Sequence, residues 1–306
     1  MKWRGRDRSS NIEDRRGRRS RPNNRSTGRR ARIPMPRGRA GKGGAGGLLI
    51  LVVFVVISMA LGINPLSLLE GSIGTGETYS SRPTDNRPLP NAGQDELFDF
   101  VAVNLNETEK LWSLVFEQND LSYRAPVLVI FSGSTSSPCG TASAQTGPFY
   151  CPADEKIYLD LGFYDQLRRQ FGAGGDFAQA YVLAHEVGHH IQQLTGVLPE
   201  FNQQRRAMSQ VEANAYSVRV ELQADCYAGV WANYVGEMNL LERGDIAEAL
   251  NAAEQIGDDA IQMRSQGFVV PKNFNHGTSE QRQRWFERGF SSGNVGQCDT
   301  FSAERL

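Results

Sequence analysis

The five residues HEVGH at positions 185–189 have the spacing of a metal site. If they lie on one helix, His185 and His189 are four positions apart and differ by about 40° around the axis, so both imidazoles can reach one ion. Glu186 then lies beside that ion, where its carboxylate can hold a water molecule and act as a general base. A catalytic zinc ion also needs a third protein ligand and an open fourth position. The motif therefore predicts zinc chemistry, provided that another segment supplies the third ligand.

The third ligand is expected in the segment ELQAD, residues 221–225. On a helix, Glu221 and Asp225 share one face, so Glu221 can bind zinc while Asp225 accepts the free ring N–H of a ligand histidine. Apolar neighbours surround the pair, and a carboxylate in such a place needs a partner. Most helical pairs of acids are simply solvated, and Glu212 and His190 are rival ligands. However, Glu212 fits a helix cap, and His190 points about 100° away from the preceding histidine. We expect Glu221.

The fourth histidine, His276, stands apart in the stretch NFNHGTSEQR. Zinc enzymes that stabilise a tetrahedral oxyanion usually add a donor from His, Tyr or Arg. We interpret His276 as a candidate catalytic donor, with Tyr216 as the substitute. The alternative is that His276 helps to cap a helix starting near Ser279.

Apolar periodicity places these segments on a scaffold of early strands and later helices. The HEVGH helix is expected to begin at Asp176, as its N-cap, and to end before Gly196. A strand at 156–161 comes shortly before it and is expected to form a sheet edge onto which a substrate peptide adds. The pattern predicts an α+β fold, mostly helical with a small sheet. The other predicted elements are a strand at 126–132 and helices near 96–118, 163–171, 210–235 (opened by a Ser209/Glu212 capping box), 246–256 and 279–289.

Charge divides the chain into two unlike parts. The net charge is −1, yet residues 1–45 hold 16 Lys or Arg and three acids. This Arg, Gly and Ser-rich stretch predicts a basic, disordered tail. Trp3 is its one aromatic residue, so contact with anionic lipid is favoured over a specific nucleic-acid role.

Residues 46–63 form an uncharged apolar run of 18 residues, which as a helix covers roughly 27 Å. Arginines crowd one flank only, which predicts a single transmembrane helix with a cytoplasmic N-terminus and the rest of the chain in the periplasm or outside the cell. A cleaved signal peptide is the alternative, because Ser58 and Ala60 form a small-x-small pair. Residues 64–94 then predict a flexible linker and residues 95–306 the folded domain.

The four cysteines all follow the apolar run, which predicts two disulfides in an oxidising compartment. Three pairings are possible. We expect Cys139 with Cys151, which closes a short Gly/Pro loop, and Cys226 with Cys298. Free buried thiols are the alternative, and the spacing does not fit a four-cysteine zinc site.

Four stretches make the sequence recognisable: CG…GPFYCPADEKIYLDL (139–161), GDFAQAYVLAHEVGHHIQ (175–192), RVELQADCYAGVWA (219–232) and FNHGTSEQRQRWFERG (274–289). The chain resembles the bacterial neutral zinc metallopeptidase family, a group of membrane-anchored proteins, and its HExxH followed by E-x-x-x-D is similar to the glutamate-liganded zincins. The resemblance implies a zincin-like domain over 95–306, with His185, His189 and Glu221 as zinc ligands and Glu186 as base. It implies a membrane-anchored zinc metallopeptidase that hydrolyses a peptide or protein substrate. The alternative is a catalytically idle zinc-binding module tethered to the membrane.

Overall fold

The computed structural model describes residues 1–17, 92–143 and 145–306, and these form the predicted mostly helical α+β fold with a small sheet. The strands are β1 (Ile12–Asp14), β2 (Val127–Phe131), β3 (Ser134–Ser137), β4 (Gly140–Ser143), β5 (Phe149–Cys151) and β6 (Lys156–Asp160). The helices are α1 (Ala92–Gln118), α2 (Gly162–Phe171), α3 (Asp176–Leu194), α4 (Val197–Gln204), α5 (Gln210–Glu237), α6 (Asp245–Gln255), α7 (Asp258–Gln266) and α8 (Ser279–Ser292). Short 3₁₀ turns lie before α8, at Pro271–Asn273, and after it, at Val295–Cys298.

The main sheet has the strand order β1-β2-β6-β5. Strands β1, β2 and β6 are parallel, and β5 runs antiparallel to β6, with Tyr150 opposite Ile157. The apolar runs predicted two strands correctly, and their central residues are almost fully buried. Strands β3 and β4 form a separate hairpin.

The prediction that the strand at 156–161 forms the sheet edge is wrong. Strand β6 lies between β2 and β5 and hydrogen-bonds to both. A strand buried on both faces and paired on both sides reads as a continuous apolar run, so its sequence does not distinguish an inner position from an edge. The edge strand on this side is β5.

For residues 1–17, the prediction of a disordered tail is also wrong. Ile12 of β1 pairs with Leu128 of β2, and Trp3 packs edge-on against Phe100 of α1 with ring centroids 5.6 Å apart. Arg6 donates to the fully buried Glu107 at 3.0 Å. Composition describes what a segment can bury by itself, whereas this segment takes its hydrogen bonds and apolar contacts from the rest of the domain.

This pairing bears on the predicted membrane topology. Residues 46–63 lie outside the described residues, so a transmembrane helix there stays a prediction, and among the described residues no helix is long and apolar enough to span a bilayer. Residues 12–14 and 127–131 flank that segment and share one sheet, so they lie on the same side of any membrane. One crossing by residues 46–63 would separate them. A cytoplasmic N-terminus with the domain on the outer side therefore does not fit the sheet.

Helix α3 lies in the core, and 14 of its 19 residues are buried. Helices α5 and α8 cross where glycine faces backbone: a Cβ on Gly229 would lie 2.1 Å from the carbonyl oxygen of Phe286, and one on Gly289 would lie 2.0 Å from that of Cys226. Neither position can hold a larger residue without moving a helix. The crossing fixes α5, which carries the ELQAD segment.

Of the two predicted helix N-caps, one is confirmed and the other is wrong. The Ser209/Glu212 capping box is present at the start of α5, as predicted. Asp176, however, is the first residue of α3 and makes no cap; Gly175 is the N-cap.

Both expected cysteine pairs are at disulfide distance, with Cα–Cα separations of 5.8 Å for Cys139–Cys151 and 5.5 Å for Cys226–Cys298.

Candidate metal centre

The HEVGH residues lie in the middle of α3, as predicted, and present two imidazoles on one face. The rings of His185 and His189 have centroids 4.7 Å apart and are nearly perpendicular. Both side chains are largely buried, 8% and 12% exposed. One helical turn therefore brings two nitrogen donors together away from bulk water.

Glu221 of α5 faces both imidazoles. Its Oε2 lies 3.2 Å from Nε2 of His185 and 3.6 Å from Nε2 of His189. A tetrahedral zinc ion with bonds of about 2.0–2.1 Å has ligand atoms roughly 3.4 Å apart. All three donor atoms lie within 4.8 Å of one another, so two nitrogens and one carboxylate fit zinc in both type and spacing.

The rival ligands lie elsewhere. The carboxylate of Glu212 is engaged in the exposed capping box with Ser209. His190 is buried on another face of α3, where its ring nitrogens contact the Tyr150 hydroxyl at 3.0 Å and the Arg124 carbonyl oxygen at 2.6 Å. The geometry therefore selects Glu221 among the candidates.

Asp225 has the predicted contact with His185, a candidate ligand. Its Oδ1 lies 2.8 Å from Nδ1 of His185 and also accepts from the Tyr181 hydroxyl at 2.6 Å. Arg282 of α8 donates to the same carboxylate through Nε at 2.9 Å and Nη2 at 3.0 Å. Asp225 is fully buried, and burial alone would raise its pKa, but the charges of Arg282 and His185 outweigh burial and lower the pKa to about 2. A charged Asp225 fixes the His185 ring with Nε2 toward Glu221.

Electrostatics at the site favour a cation. Burial alone would lower the pKa of His185, but Asp225 and Glu221 outweigh it and raise the pKa to about 10. Burial raises the pKa of Glu221, but the neighbouring His189 and His185 hold it well below its ordinary value. Because protons and a metal ion would compete for the same imidazole nitrogens, metal affinity at this site should fall with falling pH.

Glu186 and His276 line the cleft that opens at the triad. The cleft has a volume of about 520 Å³, and its other walls are mainly apolar: Phe149, Phe163, Phe171, Val182, Ile256 and Ile261. Glu186 is only 8% exposed. The cleft thus brings the predicted base beside the predicted ligands. Tyr216, the substitute donor, is not among its walls and stacks on Phe201 instead.

Sequence reasoning did not identify Asp258, the residue that holds His276. Its Oδ1 lies 3.1 Å from Nδ1 of His276, and its Oδ2 accepts the backbone N–H groups of residues 275–277 at 2.7–3.1 Å. The His276 side chain remains 48% exposed. The alternative helix-capping role is taken by Thr278, which forms a capping box with Gln281. Asp258 lies 18 residues from His276, at the start of another helix, so no local pattern links the two.

The fold and site define a class of protein in which an HExxH helix and a glutamate on a second helix converge on one face of a cleft. The chain belongs to the family described as "Putative neutral zinc metallopeptidase", whose model matches residues 1–301. The match includes the N-terminal residues that complete the sheet.

The relatives extend over nearly the same length. The chain is 46% identical over 301 residues to YpfJ of Escherichia coli K12, an uncharacterized protein, covering 98% of this chain and 99% of that one. It is 39% identical over 268 residues to the uncharacterized Rv2575 of Mycobacterium tuberculosis H37Rv, covering 81% and 86%. No solved structure matches the chain.

Proposed function

We propose that this protein is a zinc-dependent metallopeptidase that hydrolyses peptide bonds. The observation that carries the proposal is the position of Glu221 Oε2, 3.2 Å and 3.6 Å from the Nε2 atoms of His185 and His189. Three donors at these spacings, beside the carboxylate Glu186 in an open cleft, are the parts that zinc hydrolysis needs.

His185, His189 and Glu221 would hold the zinc ion, which would supply Lewis-acid activation of the scissile carbonyl and of a water molecule. Glu186 would accept a proton from the attacking water and then give it to the leaving amine. Asp225 keeps the His185 ring oriented for its role by accepting from Nδ1. The low exposure of Glu186 limits its contact with bulk solvent.

His276 is the donor that we assign to the developing oxyanion. Asp258 accepts a hydrogen bond from its Nδ1, so that Nε2 of the protonated ring is free to donate. Burial lowers the pKa of His276, but the hydrogen bond to Asp258 outweighs this and raises it. The protonated ring can therefore present its Nε2 hydrogen to substrate while Asp258 fixes its orientation.

The substrate backbone is proposed to pair with β5. Residues 145–150 line the cleft, and β5 is the edge strand next to α3. An extended peptide added there would gain backbone hydrogen bonds and lie across the candidate zinc site. This replaces β6 as the docking strand.

Membrane association through residues 46–63 is a separate proposal, supported by the uncharged 18-residue run. The pairing of β1 with β2 requires that the segments on both sides of this run lie on one side of the membrane. Both conditions are met if residues 46–63 attach the protein to the membrane but do not carry the chain across it from one side to the other.

A metal analysis with a peptidase assay tests the proposal. Purified full-length protein should hold one zinc per chain and cleave a quenched peptide or casein until a chelator is added. Glu221→Ala should lose most of the zinc, whereas Glu212→Ala, its matched control in the exposed cap, should keep it. Glu186→Gln should keep the zinc and lose activity by about 10²–10⁴-fold.

The same measurements distinguish the alternatives. Zinc held by Glu221 without peptidase activity in the unmodified protein would indicate an idle zinc-binding module. Undiminished turnover in Glu186→Gln would refute the assigned base.

A further inference from the structure

The two candidate ligand histidines are held by different kinds of partner. His185 faces the charged Asp225, whereas Nδ1 of His189 lies 2.9 Å from Oε1 of Gln192, a neutral amide. Gln192 lies three residues further along α3 and is fully buried. A buried amide can turn either its oxygen or its nitrogen toward the ring, so something must select the orientation.

The surroundings of Gln192 make that selection. Its Nε2 donates to the Val220 carbonyl oxygen at 2.7 Å and to Oε1 of Gln223 at 3.0 Å. Both partners are acceptors, so both amide hydrogens are used there and the carbonyl oxygen faces His189. The ring must then carry its proton on Nδ1, and the lone pair of Nε2 points toward Glu221.

The orientation of the Gln223 amide is also fixed by a hydrogen bond. Its Nε2 donates to the Cys298 carbonyl oxygen at 3.1 Å, so its own Oε1 stays turned toward Gln192. Cys298 is joined to Cys226 of α5, three residues after Gln223. A continuous series of hydrogen bonds therefore runs from His189 through two buried amides to a backbone carbonyl fixed by a disulfide.

We propose that Gln192 is a positioning residue that sets the tautomer and orientation of His189, and that Gln223 with the Cys298 carbonyl keeps Gln192 in its working orientation. The inference rests on the proposed zinc site and assigns these residues a role toward the metal. Loss of an outer-shell partner of a ligand histidine costs about 10–100-fold in metal affinity.

The test compares zinc affinity, by chelator competition, in full-length variants. Gln192→Met removes the amide at nearly constant volume, and Gln193→Met, the neighbouring half-buried glutamine, is the matched control. We expect a fall of about 10–100-fold for Gln192→Met, no change for Gln193→Met, and a smaller fall for Gln223→Met. The visible spectrum of the cobalt-loaded protein should change in Gln192→Met, because the His189 ring turns.

A double-mutant cycle separates positioning from packing. Since Gln223 acts through Gln192, the Gln192→Met/Gln223→Met double variant should bind zinc no more weakly than Gln192→Met alone. If Gln192→Met fails to fold, Gln223→Met still tests the series. Additive losses, or wild-type affinity in both single variants, would overturn the inference. Absence of zinc from the unmodified protein would instead overturn the proposed function.

Discussion

Gly188 of α3 and Ala224 of α5 meet at a contact that is too close for a methyl group on Gly188 unless a helix shifts. A Cβ on Gly188 would lie 3.0 Å from Ala224 Cα and 3.1 Å from its carbonyl oxygen. Gly188 precedes His189, and Ala224 follows Glu221 by less than one turn. The contact thus sets the separation between the helix that carries the imidazoles and the helix that carries the carboxylate.

Substituting Gly188, which is not itself a candidate ligand, should move the candidate ligands apart and weaken zinc binding. In Gly188→Ala the new methyl group meets rigid helix backbone, so α5 must shift, and we expect a loss of about 1–3 kcal/mol in the free energy of unfolding together with weaker zinc binding. Gly236→Ala in α5 is the control, because a methyl group there meets only the mobile Leu241 side chain at 3.2 Å. It should be neutral or stabilising by up to about 1 kcal/mol. Denaturant unfolding and chelator competition measure both effects, and equal behaviour of the two variants would contradict the assigned role of the contact.

The Asp258–His276 pair should act on turnover rather than on metal content. His276→Ala is expected to lower kcat by about 10²–10³-fold, the usual loss when an oxyanion donor is removed, with zinc content unchanged. Asp258→Asn should lower kcat less, because it weakens the hold on the ring without removing it. Steady-state kinetics on a peptide substrate check this. A rise in KM at constant kcat would show that His276 binds substrate and does not stabilise the transition state.

Acid should weaken the attachment of β1. The side chain of Glu13 accepts from Arg15 at 2.9 Å and from Lys156 of β6 at 3.0 Å, and these bonds lower its pKa from 4.5 to about 2. A lowered carboxylate pKa means that the stabilisation is fully present above about pH 4.5 and is lost as the pH falls toward about 2. The difference in unfolding free energy between wild type and Glu13→Gln should therefore shrink over that window. A difference that stays constant with pH would exclude the ionised carboxylate as its source.

The shared sheet predicts that the segments before and after the apolar run label alike in intact cells. Ser10, before the apolar run, and Ser113 of α1, after it, are both exposed, and the cysteines among the described residues are all in disulfides. In Ser10→Cys and Ser113→Cys, a membrane-impermeant maleimide should label both sites or neither. Labelling of Ser113→Cys alone would restore the single-crossing topology.

Local patterns in the sequence determined the parts of the site that lie within one helix. His185, Glu186 and His189 follow from the periodicity of an α-helix, which places positions four apart on one face whatever surrounds it. The pairing of Glu221 with Asp225 follows from the same periodicity. The apolar runs at 126–132 and 156–161 are long and β-rich enough to indicate strands by themselves.

Contacts between distant segments were decided only by the tertiary structure. The sequence does not show that Asp258 reaches His276 or that Gln192 meets Gln223, because each pair joins separate segments of the chain. The order of the strands is equally hidden. Residues 12–14 are too few and too polar to predict a strand, and they become one because β2 offers an unpaired edge whose backbone groups need partners.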